Sequence, residues 1–218
     1  MRKLLPTLIV ATIGLGSITS ANALSITVNA ANVYDTSVPG ASTLNFTGAP
    51  ACGGYSSCSG DFGVVSGSVG GQYAAPAMPN QGDGGEFLTV PNAQNSGNAT
   101  FSFGNTANYF GMFWGSIDDY NTIEFLLGNV VVNSVSGLDL RTLDSNILVQ
   151  GNQTNVDDNR YVEFFFGNDF IDGINLISTS NAFETDNHAF ATVPEPGTLA
   201  LLGLGLAGLG AARRRQKA

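Results

Sequence analysis

A single histidine, two cysteines and one tryptophan among 218 residues leave little material for imidazole or thiol chemistry. There is no G-x-S-x-G, no H-E-x-x-H and no phosphate-cradling loop in a strand–helix setting, so the common nucleophilic and zinc-hydrolase arrangements are excluded as motifs. The lone imidazole, His188 in "FETDNHAF", reads as a solvated residue near a strand end. Cys52 and Cys58 cannot form a structural zinc site without two further ligands. As a local pair in "CGGYSSC" they predict a disulfide, worth roughly 2–3 kcal/mol by loop closure in an oxidising compartment.

Positive charge is scarce too. Six of the eight Lys and Arg are Arg2, Lys3, Arg213, Arg214, Arg215 and Lys217, all in the two ends. Residues 24–193 keep Arg141 and Arg160 against sixteen Asp and Glu, a formal charge of −14. Such a domain repels nucleic-acid phosphate and anionic lipid, and leaves neutral glycans, cationic partners and divalent cations open.

Long apolar runs are confined to the ends. Arg2 and Lys3 precede an apolar stretch from Leu4 to Ile18, and "SANA" then sets Ala21 and Ala23 at the small-residue positions a signal peptidase needs. This predicts a signal peptide over 1–23, cleaved after Ala23. At the other end, Leu199–Ala212 is an uncharged, mostly apolar stretch. As a helix it spans about 21 Å against a hydrocarbon core of about 30 Å. The basic cluster after it predicts a cytoplasmic tail, with everything upstream outside. Gly203, Gly205 and Gly208 match G-x-G-x-x-G but lack the preceding strand and the following βαβ continuation of a dinucleotide site. Pro194 and Pro196 interrupt secondary structure and make "VPEPG" an extended linker.

The order Val193-Pro194-Glu195-Pro196-Gly197, short apolar helix, then Arg213, Arg214 and Arg215 resembles the PEP-CTERM sorting signal of Gram-negative bacteria. The resemblance implies recognition by the membrane enzyme exosortase and transient anchoring in the inner membrane. It further implies a destination in the envelope, on the cell surface or in an exopolysaccharide matrix. The expected division is thus a signal peptide at 1–23, a secreted domain at 24–192 and a sorting signal at 193–218.

Between the ends, "LSITV", "TLNFTG", "GEFLTV", "ATFSFG", "NTIEFLLG", "NVVVNSV", "SNILVQG" and "RYVEFFFG" place β-branched and aromatic residues between Gly, Asn, Asp and Ser. They read as strands at a spacing of roughly 8–12 residues. Few helices are expected, and the fold class is mainly β, an antiparallel β-sandwich or jelly roll. The glycine- and serine-rich stretch 52–86 reads as a binding loop, a lid or disorder; "GNQTNVDDNR" reads as a polar turn, and "STSNAFETDNHAFATV" as the last strand. "NYFGMFWGSIDDYNTIEF" and "GINLISTSNAFETDNHA" resemble a subfamily of exosortase-dependent surface proteins, and the second is also similar to the closing strands of carbohydrate-binding jelly rolls.

Three chemistries remain. Asp118, Asp119, Tyr120 and Asn121 combine an aromatic face with carboxylate and amide groups, which suits a neutral polysaccharide; alternation sends Phe110, Met112 and Trp114 to the core. Asp157 and Asp158 are weak candidates for a structural calcium, alongside Asp118 with Asp119 and Asp169 with Asp172, though no EF-hand pattern is present. Paired carboxylates such as Asp118 with Asp119, or Glu163 with a distant Asp, are the raw material of glycoside hydrolysis. The expectation is a non-enzymatic, cofactor-free surface or matrix protein associated with exopolysaccharide. A secreted carbohydrate-active hydrolase and a structural coat component without a specific ligand are the alternatives.

Overall fold

Alternation of apolar and turn-forming residues resolves into twelve strands in the computed structural model, which describes residues 24–78, 85–92, 94–148, 151–194 and 213. The expected signal peptide at 1–23, Glu195, Pro196, Gly197, the apolar tail, Arg214 and Arg215 lie outside the described residues. In chain order the strands are β1 (Ser25–Val28), β2 (Ser42–Leu44), β3 (Ser57–Gly60), β4 (Gly63–Ser66), β5 (Glu86–Val90) and β6 (Gly97–Ala107). They continue with β7 (Tyr109–Gly115), β8 (Asn121–Leu127), β9 (Val130–Ser136), β10 (Arg160–Phe165), β11 (Ile171–Ser178) and β12 (Phe183–Ala191). A short helix α1 (Gly137–Leu143) and a 3₁₀ turn (Val156–Asp158) interrupt the pattern.

The pairings between these strands are antiparallel. One sheet runs β1-β10-β7-β12-β5-β4, and β2 pairs with the later part of β12; the second runs β3-β6-β11-β8-β9. The two sheets face each other through one aromatic-rich core. Phe110 of β7 lies 6.0 Å from Phe125 of β8 and 5.9 Å from Phe103 of β6, and Phe125 lies 4.8 Å from Phe164 of β10. Phe110, Met112 and Trp114 face this core as alternation requires, with Trp114 4.4 Å from Phe183. The mainly β sandwich expected from the sequence is the observed architecture.

β7 is buried along its whole length, because its second face is covered as well. Tyr34 packs 5.6 Å from Phe113, and the Tyr109 hydroxyl is 2.6 Å from that of Thr36. Gly111 leaves room there: a Cβ would stand 2.5 Å from the Tyr109 oxygen and 2.7 Å from that of Tyr161. The disulfide Cys52–Cys58 is present, with sulfurs 2.05 Å apart. Its loop carries Tyr55 into the core against Phe101 at 5.0 Å.

Four expectations are corrected. The described residues of "SNILVQG", 145–148 and 151, form no strand: Asp158 accepts the N–H groups of Leu148 at 2.7 Å and Asn152 at 3.2 Å, and among them Ile147 reaches the core; Val149 and Gln150 lie outside the described residues. "TLNFTG" is a strand only through Leu44, since Phe46 takes a positive φ of 61° to bury its ring. The stretch 52–86 holds β3 and β4, whose Gly and Ser content hides strands stabilised by distant partners on β6 and β5. His188 is not solvated but fully buried, 5.0 Å from Phe46, with Nδ1 2.5 Å from the Tyr55 hydroxyl. A bulge between Asp186 and Ala189, where Asn187 adopts φ 47°, breaks the alternation of β12 and turns the imidazole inward. Burial holds it neutral, its pKa lowered to about 3.

Because Trp114 joins β7 to the start of β12, Trp114→Ala is expected to lower the unfolding free energy by about 3–5 kcal/mol in urea titrations. A loss below about 1 kcal/mol would contradict its place in the core.

Candidate functional site

A cleft of about 400 Å³ opens where four connecting segments meet. They are the turn after β7, the 68–74 loop between β4 and β5, the β11–β12 turn and the stretch leading into the 3₁₀ turn. Its volume lies in the usual range of small-molecule sites, roughly 300–1,000 Å³.

Carboxylates and amides hold the walls. Asp118 is almost fully buried; its Oδ1 accepts the Gly151 N–H at 2.7 Å and its Oδ2 accepts the Tyr120 hydroxyl at 2.8 Å. Gly151 permits this approach, since a Cβ at that position would collide with the Ser116 backbone. Tyr120 also reaches the carbonyl of Asn181 at 3.2 Å, and the Asn181 Nδ2 donates to the Gly71 carbonyl at 2.6 Å. Glu184, at the start of β12, is 3% exposed and accepts the Ala74 N–H at 2.7 Å. Behind the cleft, Asn159 accepts the N–H groups of Ser116 and Ala77 at 3.1 Å each. The turn after β7 and the segment around Ala77 are thereby tied to one side chain.

Burial raises both cleft carboxyls. Glu184 moves from 4.5 to about 7, by burial first and with the Asp118 carboxylate adding to it, while Asp118 is raised by burial with Asp119 and Asp158 adding to it. The Tyr120 phenol is pushed up as well, by burial and by the Asp118 carboxylate it donates to. Among the described residues no Lys, Arg or His lines the cleft. Several of its polar groups are unclaimed: the side chains of Gln72 and Gln153, the hydroxyls of Tyr73 and Ser116 and the Asn181 Oδ1 have no hydrogen-bond partner among the described residues. The chemistry on offer is hydrogen bonding from amides and hydroxyls beside two tyrosine rings, in an acidic setting.

Of the four residues read as glycan-binding, Asp118 and Tyr120 line the cleft and the other two do not. Asp119 instead pairs with Arg141 at 2.7 Å on the helix α1 side. Asn121 is fully buried, donating to the Ala182 carbonyl at 3.0 Å and accepting the Ser178 hydroxyl at 2.6 Å, so it shapes the β11–β12 turn behind the cleft wall. The calcium candidates are also otherwise engaged. Both oxygens of Asp158 accept N–H groups, from Leu148 and from Asn152 and Asn155, and Asp157 pairs with Arg160 at 3.0 Å. Asp172 accepts the Gly128 N–H at 2.9 Å. No group of three or more His, Cys, Asp or Glu among the described residues is arranged to hold a metal. Glu163 accepts Tyr109 at 2.8 Å and Asn29 at 3.0 Å, away from the cleft.

Glu184, Asn181, Tyr73, Gln72 and Gln153 were not singled out from the sequence. Glu184 falls in a polar run with no motif, whereas the 68–74 loop lies in the stretch already legible as a binding loop or lid. At the far end, Asn108 clasps Val193 with two hydrogen bonds, at 2.6 and 2.9 Å, before the chain leaves through exposed Pro194. Arg213 is exposed. Among the described residues no helix is long and apolar enough to cross a membrane.

Comparison with known proteins finds the PEP-CTERM protein-sorting motif at residues 192–215. No curated protein matches the chain. Among solved structures the chain is similar to CsCBM6-3 from Clostridium stercorarium in complex with cellobiose, with 17% identity and a TM-score of 0.35 over 64% of this chain and 89% of that one.

The carboxyl shifts carry a pH signature. Between about 4.5 and 7 the folded state binds more protons at Glu184 than the unfolded state does, so its contribution to stability falls as pH rises through that window. His188 acts oppositely on the acid side, so the measurement must be a difference between variants. Glu184→Gln mimics the protonated acid, and its thermal midpoint is expected to match wild type at pH 5 and exceed it by at least about 4 °C at pH 8. An offset that does not change with pH would contradict a buried, protonating Glu184.

Proposed function

We propose that this is an exported, exosortase-sorted surface or matrix protein of a Gram-negative bacterium, whose sandwich holds a neutral exopolysaccharide in the cleft without turning it over. The C-terminal sorting motif supports the export and sorting half of this reading. The observation that carries the other half is the cleft itself, whose unclaimed groups include uncharged amides and hydroxyls beside two tyrosine rings. Tyrosine rings stack on the apolar face of a sugar while amides meet its hydroxyls. The missing cations and the −14 domain charge argue against uronate or sulfate groups in the ligand.

Two carboxyls in one cleft also raise glycoside hydrolysis. An acid and a nucleophile need environments that push their pKa values apart, yet burial moves Asp118 and Glu184 the same way, upward. Both Asp118 oxygens are already committed to donors within the fold. The non-enzymatic reading is therefore the stronger one. Release of reducing ends from host polysaccharide, lost in Glu184→Gln, would reverse that order.

Binding is tested by calorimetric titration with exopolysaccharide from the protein's own host. Saturable heat is expected, and the exposed pair Gln72→Ala with Gln153→Ala should weaken affinity about tenfold while leaving the thermal midpoint unchanged. Binding unaltered by that pair would move the ligand out of the cleft. Sorting is tested by intact mass: protein from the host should lack the segment beyond the Val193–Gly197 region and should begin at Leu24. A mass extending to Ala218 would refute processing.

A further inference from the structure

Both ends of the domain leave from one pole of the sandwich. Ser25 pairs with Phe165, Phe165 with Tyr109 and Tyr109 with Ala191, so the start of β1 and the end of β12 lie in one row across the first sheet. Three strand spacings separate them, about 14 Å. Asn108 clasps Val193 at this pole, through both the N–H and the carbonyl of that residue, and donates to the Gly167 carbonyl at 2.7 Å. The cleft sits at the opposite pole, because it gathers the turn after the far end of β7 and the first residues of β12. The seven residues of β7 put about 23 Å between the two poles. Around the clasp, the turns expose apolar side chains. Leu127 and Val130 flank the β8–β9 turn and are 42% and 64% exposed, and Phe170 in the β10–β11 connection is 39% exposed. These turns are neighbours, since Asp172 accepts the Gly128 N–H at 2.9 Å and Ile171 pairs with Ala107, next to Asn108. They carry only two of the sixteen acids of residues 24–193, Asp169 and Asp172.

The length of free chain beyond the clasp decides what meets this pole. Five residues, 194–198, separate Val193 from the apolar stretch Leu199–Ala212, a reach of about 17 Å at full extension. With the basic cluster held at the cytoplasmic face, a helix of about 21 Å stops about 9 Å short of crossing a hydrocarbon core of about 30 Å. The linker makes up that difference, and the reach left to it is about 8 Å, roughly the depth of one headgroup layer. We propose that, while the tail is in the bilayer, the pole holding Val193 rests on the outward-facing lipid surface of that membrane. Phe170, Leu127 and Val130 enter its headgroup zone, where aromatic and aliphatic tips gain by burying apolar area, and the cleft is turned away from the cell. The surface it fits is zwitterionic, since a domain of formal charge −14 is repelled by anionic lipid. The cleft is then open to polymer outside the cell while the protein is still tethered. This proposal rests on the anchoring read from the sorting motif and needs no glycan.

The test uses the full chain with its tail, reconstituted in vesicles of phosphatidylethanolamine and phosphatidylcholine that carry nitroxide lipids. Cys52 and Cys58 are joined and are the only cysteines in the chain, so an introduced cysteine takes a fluorophore alone. Phe170→Cys and Val130→Cys report on the proposed contact, and Val69→Cys, at an exposed position of the 68–74 loop, reports on the cleft pole. Leu206→Cys reports on the tail. A headgroup nitroxide is expected to quench the labels at 170 and 130 at least about fivefold more than the label at 69, with thermal midpoints unchanged. An acyl-chain nitroxide should quench the label at 206. Equal quenching at 170 and 69 would overturn the orientation, as would labels at 170 and 130 left unquenched in vesicles where the tail label is quenched; both results leave the anchoring intact. A tail label untouched by the acyl-chain nitroxide would instead refute the anchoring, and this proposal with it.

Discussion

Burial of β7 on both faces is the constraint on which the rest of this structure depends. Its inward residues, Phe110, Met112 and Trp114, build the contact between the sheets. Its outward residues require a second covering layer, supplied by Tyr34 and Thr36 from the segment after β1. A strand covered on both sides behaves like the spine of a parallel sheet, apolar at nearly every position, although its neighbours β10 and β12 are antiparallel. Gly111 is the local consequence, small because two tyrosine oxygens lie over it. The turn that follows β7 inherits this rigidity and delivers Asp118 and Tyr120 to the cleft.

Around that cleft, side-chain acceptors do the work that regular ladders do elsewhere. Asp118, Asn159 and Glu184 collect backbone N–H groups from segments distant in sequence, and Asp158 collects them from the stretch just before it, so these loops are held in place. Buried carboxylates in this role gain charge-assisted hydrogen bonds but pay in desolvation, and the raised pKa of Glu184 records the balance. The same arrangement explains why acidic clusters that resembled calcium ligands are already satisfied from within the chain. It also leaves Gln72, Gln153, Tyr73 and the Asn181 Oδ1 among the cleft groups with free valence, which is what a binding surface requires.

The proposed roles divide the molecule cleanly. The sorting motif speaks for the route and the cleft for what the domain holds.

The sequence by itself determined the strand composition, the local disulfide, the core face of Phe110, Met112 and Trp114, and the sorting motif. Each rests on short-range pattern: a period of two, a six-residue cysteine spacing, or a contiguous string near the C-terminus. Strand length and polar residues were the limit of that reading. Only the tertiary structure decided that His188 is a core residue, because a bulge cancels the period that would have placed it. Only the tertiary structure separated Asp118 and Tyr120 from Asp119 and Asn121, four consecutive residues whose side chains leave a tight turn in different directions. Glu184 joined the site for the same reason, brought beside Asp118 by sheet order across 66 positions of chain, a distance over which no local pattern carries information.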